Sequence, residues 1–239
     1  MLSDLGSDSF SLSKRFMAYT LFDGLANTLD QTAELRAARG ADPRNPYLVG
    51  DEAYNLLCLG NDREAETVAR ELPGARLSGS VLVLTALGRA DGRAAALRAH
   101  EASNGSGLTW SYRFEAAPLL FTLDRTRLAA VAKELSVEAE RQPPRDSIDW
   151  RPCLAFLGGT LSEAELLATL PPNPNGRVYR YYFVGWKRLG DGDRDGARKA
   201  FEEAYQQKRF NRWLWMLTRA ILIRMKDPNW PQAILEKKG

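Results

Sequence analysis

Apolar side chains in this chain recur mainly at intervals of three and four, the spacing that places them on one face of a helix. Ala197, Ala200, Phe201 and Ala204 form one such stripe. Strand-like alternation is nearly absent. The only β-branched run, GSVLVLTAL at 79–87, leads directly into the alanine-rich GRAAALRAHEA, which has strong helix propensity. The pattern predicts an all-α protein. Turn signals divide the helices: GADPRNP at 40–46, LGND at 59–62, LPG at 72–74, GRADG at 88–92, SNGSG at 103–107, RQPPRD at 141–146, LGGTLS at 157–162, LPPNPNG at 170–176 and GDGD at 190–193.

The turns have a rhythm. Alanines that open the helix after a turn fall at Ala65, Ala94, Ala130, Ala164 and Ala197, in steps of 29, 36, 34 and 33 residues. Steps of that size indicate a helix-turn-helix repeat. In the last unit Tyr181, Val184, Gly185, Arg188, Ala197, Phe201 and Ala204 resemble the tetratricopeptide repeat, clearest over residues 178–211. Gly192 and Asp193 sit where that family turns. Arg188 stands in place of the family's tyrosine and Arg209 in place of its closing proline, and earlier units keep only the small-residue landmarks. The resemblance implies an α-solenoid of about five antiparallel helix pairs, a single repeat domain over 10–239 after a flexible N-terminus at 1–9.

Local signals fit this division. Ser162 with Glu165, and Asn61 with Glu64, have capping-box spacing. A capping helix is expected at about 211–226, opened by Asn211, with Phe210 and Trp215 spaced as a hydrophobic staple, and stopped by DPNWP. Its apolar residues lie almost all round, so both sides need cover, from the tail at 230–235 or from a partner.

Composition narrows the class. The chain has 239 residues, of which 44% are hydrophobic and 26% charged, ordinary for a globular protein. From Arg177 onward it carries 15 Lys and Arg against 7 Asp and Glu, while the preceding part carries 18 against 23. A basic end on an acidic body steers acidic partners. Cys58 and Cys153 are isolated in apolar surroundings and read as buried thiols. The N-terminus lacks a signal-peptide pattern, and the longest apolar run, WLWMLTRAILI, is too short to span a membrane. The expected location is cytoplasmic, with no membrane partner.

Candidate chemistry is sparse. Asp191, Asp193, Asp195, Gly196 and Glu202 match the EF-hand calcium-loop spacing. However, Arg198 occupies the loop's apolar position, and the 197–204 stripe needs helix where calcium needs an arc. The repeat reading makes Asp193 an N-cap, with a helix from Arg194 to Lys208 and no metal. His100, the single histidine, and the two cysteines form no recognisable catalytic set, so neither enzyme activity nor a cofactor is expected, and an enzyme with a non-obvious site is the least favoured alternative. The mixed basic and aromatic QQKRFNRWLWMLTR leaves open a nucleic-acid-binding accessory role, although Trp213, Trp215, Leu217, Ile221 and Leu222 look like core.

In tetratricopeptide arrays the first helix of each pair lines a concave groove. Transferred here, that geometry puts Tyr179, Tyr182 and Trp186 on the groove side and turns Tyr181, Val184 and Gly185 toward the core. The alternative for Trp186 is packing on the capping helix. The expected function is therefore a protein–protein interaction module or assembly adaptor that recognises a peptide or helix segment of a partner. In style the tail is similar to C-terminal repeat segments of bacterial multidomain signalling proteins.

Overall fold

The computed structural model describes residues 28–43, 45–71, 83–102, 114, 120, 122, 125–141, 149, 151–169, 171, 173–207 and 213–231. Those residues are helical or in turns, and none is in a strand. Several expectations lie outside them: the N-terminus at 1–9, the turns at 72–74 and 103–107, most of 141–146, Phe210 and Asn211. Neither the side chain of His100 nor that of Trp213 is described.

The chain divides into two compact units, 1–109 with 229–233, and 110–228 with 234–239. In the first unit α1 (Thr28–Ala41), α2 (Pro46–Leu59) and α3 (Asp62–Arg70) pack in succession, α1 on α2 and α2 on α3. Residues 83–86 form a helical turn before α4 (Ala90–Ala102). Trp230 belongs to this unit too. It is buried, and its indole N–H donates to the carbonyl of Ala86 at 2.9 Å. Gly88 lies against this contact, since a Cβ there would come within 2.6 Å of the Pro231 side chain.

The second unit contains α5 (Arg125–Glu140), α6 (Arg151–Leu157), α7 (Glu163–Ala168), α8 (Pro174–Gly190), α9 (Arg194–Gln206) and α10 (Trp213–Arg224). Packing again follows chain order: α5 on α6, α6 on α7, α7 on α8, α8 on α9 and α9 on α10. In addition, α6 and α10 each touch α8, which is thus the central element of the unit. The last helix lies inside the expected 211–226 span, with Leu214, Trp215, Met216, Leu217, Ala220 and Ile221 buried.

One device stops three of these helices. After α2, Gly60 donates to Leu57 and Asn61 to Leu56, and after α6, Gly159 donates to Phe156 and Thr160 to Ala155. After α8, Gly192 donates to Leu189 and Asp193 to Arg188. Each is a paired Schellman closure around a left-handed residue, which glycine alone adopts without strain; φ is 86° at Gly60, 78° at Gly159 and 88° at Gly192.

The following helix then starts from a cap. Asp193 caps α9 by accepting from the Gly196 N–H at 2.8 Å, as expected, and Ser162 and Glu165 form the full capping box of α7. Asn61 departs from expectation. It occupies the N-cap of α3 but makes no side-chain cap, and the carboxylate of Glu64 is instead drawn to Arg36. A guanidinium partner outcompetes a neutral backbone N–H for that carboxylate.

The repeat landmark also needs recounting. Ala65 and Ala197, each four residues after its N-cap, are fully buried, but Ala164 is exposed. The turn before α7 is two residues longer than its counterparts, so the position four after Ser162 is Leu166, and Leu166 is the buried residue. Ala94 is half-buried and Ala130 exposed. In those stretches the alanine spacing does not mark core.

Candidate functional site

The candidate groove residues lie on α8. Its start is well specified: Asn173 caps it by accepting from the Gly176 N–H at 2.8 Å, and Pro174 occupies the first helical position. Tyr179, Tyr182 and Trp186 are all buried, at 6%, 0% and 3% exposure. The groove-side placement expected for them is therefore replaced by a core placement. Tyr181, expected inside, is half-buried, while Val184 and Gly185 are buried as expected.

The reason is Gly185. A Cβ there would sit 2.6 Å from the Phe201 ring, so the missing side chain is the space that Phe201 of α9 occupies. Residues three and four apart share a helix face, so Tyr182 and Trp186 flank that space. They meet Phe201 edge-on, with centroids 6.3 and 5.6 Å away. Such tilted pairs add about 0.5–1.5 kcal/mol each to the area they bury. Tyr179 turns instead toward Phe114, which also packs on Phe183 at 4.7 Å. The helix face runs through Tyr182, Gly185, Trp186 and Leu189, one residue on from the face the repeat pattern assigns.

Several described arginines from Arg177 onward bond within the chain. Arg194 donates to the carbonyls of Met225 at 2.9 Å and Asp227 at 2.6 Å, and Arg198 donates to Met225 at 2.7 Å. These bonds satisfy carbonyls at the C-terminal end of α10, where cations are favoured. Arg180 is buried and donates to Thr169 and Leu166, Arg224 donates to Ala220, and Arg188 holds Glu163 of α7. Trp215 is buried too, stacked on Tyr205 with centroids 4.8 Å apart, and its indole N–H donates to the Tyr205 carbonyl at 2.6 Å.

Among the described residues no group of three or more Asp, Glu, His or Cys is placed to hold a metal ion. Asp195 lies in the first helical turn of α9, not in an arc. Both cysteines are buried, and burial pushes the Cys153 thiol up to about 12, so it stays protonated and unreactive at neutral pH.

The second unit also has an open cavity of about 210 Å³, a feature the sequence gives no hint of. Thr122, Leu128, Ala129, Leu157, Gly158 and Gly159 line it, with Lys187 and Asp191 from the end of α8. Thr122 is fixed there by donating to the Trp186 carbonyl at 3.1 Å. Gly190 permits that approach, because a Cβ would lie 2.4 Å from the Thr122 backbone carbonyl oxygen. The Lys187 ammonium stands 4.4 Å from the centroid of the Phe156 ring, a cation–π contact.

No protein-family model matches this chain, and no curated protein matches it. Among the described residues no helix is long and apolar enough to cross a membrane.

Proposed function

We propose that the chain is a tetratricopeptide-like α-solenoid that serves as a protein–protein interaction module or assembly adaptor. The observation that carries this reading is the recurrent stop and start: a left-handed glycine closes α2, α6 and α8, and the residue four after the next N-cap is buried each time. Helix pairs built on one turn design, packed in chain order, are the parts of a repeat scaffold, and such scaffolds work by presenting an extended surface to another chain.

The surface offered differs from the one the repeat pattern suggests. With Tyr179, Tyr182 and Trp186 buried, α8 turns Arg177 and the half-buried Tyr181 outward. An aromatic beside an arginine is a common anchor for a peptide or helix. Of the basic and aromatic stretch behind the nucleic-acid reading, Lys208, Arg209 and Arg212 lie outside the described residues, and Trp215 is buried, so it offers no stacking face.

Affinity capture of the intact chain from its native cell tests this. A protein partner retained through about 0.5 M salt, and weakened by Tyr181→Ala, supports the module. Nucleic acid that co-purifies and is released at that salt supports the alternative, since phosphate contacts are lost as salt rises.

A further inference from the structure

We propose that Arg177 and Arg180 of α8 receive an acidic segment of the partner chain, one of whose carboxylates seats on the Arg180 guanidinium. The inference rests on the interaction-module reading and names the chemistry of the partner.

The helix α8 carries four cations, Arg177, Arg180, Lys187 and Arg188, and no Asp or Glu. Among the described residues only Arg188 pairs with a carboxylate, that of Glu163. Arg177 donates to the Pro171 carbonyl, and Lys187 lies over the Phe156 ring. Arg180 is 4% exposed, and its Nη1 donates to the Leu166 carbonyl at 3.3 Å and the Thr169 hydroxyl at 2.8 Å. It makes no other hydrogen bond and no ion pair with the described residues. A charge taken out of water calls for an anion, and two neutral acceptors do not supply one.

The remaining edge of the guanidinium suits a carboxylate. With Nη1 committed, Nε and Nη2 present two parallel N–H donors, the fork that a carboxylate accepts with both oxygens. Neither nitrogen is sealed from solvent. Asp149 lies near enough for Arg151 foremost, and Arg180 more weakly, to hold its carboxyl below the usual range. Its oxygens, however, bond to Arg151, at 2.8 and 3.0 Å. Arg177, three residues before Arg180 on the same helix face, is exposed. An acid drawn to Arg177 from solvent is thus delivered to Arg180, where the pair is desolvated. A slim acidic side chain reaches a recessed guanidinium, whereas phosphodiesters sit on a broad backbone, so an acidic protein segment is favoured over nucleic acid.

Fluorescence anisotropy of labelled poly-L-glutamate with the intact chain at low salt tests the site. Binding is expected, weakened at least about tenfold by Arg180→Met and about threefold by Arg177→Gln. Arg180→Lys, which keeps the charge and loses the fork, should recover only part of the affinity. Lys199→Gln, exposed on α9, should leave binding unchanged. Melting temperatures check that the variants fold; Arg177, exposed, is the safer change. No binding of poly-L-glutamate overturns the proposal, as do tighter binding of a thymidine oligonucleotide or equal effects of Arg177→Gln and Lys199→Gln. The module reading fails separately, if capture from the native cell yields no protein. A captured protein held equally by Arg177→Gln and Arg180→Met overturns the acidic site alone.

Discussion

The hairpins α2–α3 and α8–α9 close with the same glycine turn, but the first is clamped to the helix before it by ion pairs while the second is filled by an aromatic ring. Around α2 the fixing element is Glu52, buried, which accepts from Arg36 at 3.2 Å and Arg39 at 2.6 Å of α1. The same arginines reach on to Glu64 and Glu71, tying α1 to α3, and Asn55 donates to Thr32 of α1 at 2.6 Å. Around α8 the fixing element is Phe201, seated on Gly185 between Tyr182 and Trp186. One turn design thus serves a pair tied to its preceding helix by ion pairs and a pair joined through an aromatic interface. The sequence pattern common to the two hairpins marks the turn and the cap, while the interface is set by residues that differ between them.

The comparison breaks most strongly at Phe201. Phe201→Ala removes the side chain that fills the α8–α9 interface and should cost about 3–5 kcal/mol, read from denaturant unfolding at any salt concentration. Glu52→Ala removes a buried acceptor of two charged hydrogen bonds and should cost about 2 kcal/mol at low salt, since Arg36 and Arg39 are partly exposed and keep Glu64 and Glu71. Because Arg36 is half-exposed, that loss should shrink as salt rises, unlike the loss at Phe201. Equal salt dependence of the two variants contradicts the ionic–aromatic distinction.

Smaller effects sharpen it. Asp193→Ala deletes the α9 cap and should cost about 1 kcal/mol, whereas Asn61→Ala, whose side chain makes no cap, should cost clearly less. Asp51, on α2 beside Glu52, has its carboxyl raised to about 7 by burial, above the ordinary 3.8. A raised acid favours the protonated folded state, so its contribution is most favourable below about pH 4 and is lost as pH rises toward 7. Asp51→Asn should therefore stabilise the protein by about 1 kcal/mol at pH 8, a modest gain because Asp51 keeps some solvent contact, and leave it unchanged near pH 4. Thermal melts at both pH values read this directly.

Much of the fold is legible in the sequence because turns and caps are local. Gly192 with Asp193, and Ser162 with Glu165, specify their own geometry within a few residues, and the 197–204 stripe fixes the buried face of α9. What resists reading is whatever depends on a residue far along the chain. Asn61 and Glu64 spell a capping box, yet Arg36, 28 residues from Glu64, takes the carboxylate. The face of α8 is misassigned by one residue because its aromatics run nearly all round the helix, and Phe201 decides which of them turn inward. Ala164 misleads for a simpler reason: two extra turn residues shift the landmark to Leu166. The cavity is built by Thr122, α5, α6 and α8 together, and no local pattern announces it.

The seating of Phe201 on Gly185 is the contact on which the core placement of Tyr182 and Trp186 rests, and a double-mutant cycle measures it. Gly185→Ala alone forces a Cβ to within 2.6 Å of the ring and should cost about 1–3 kcal/mol. In a Phe201→Leu background, where the ring is gone, the same change should cost far less, giving a coupling of at least about 1 kcal/mol. Strictly additive losses, with Gly185→Ala equally harmful in both backgrounds, would contradict this packing and return the α8 aromatics to the surface.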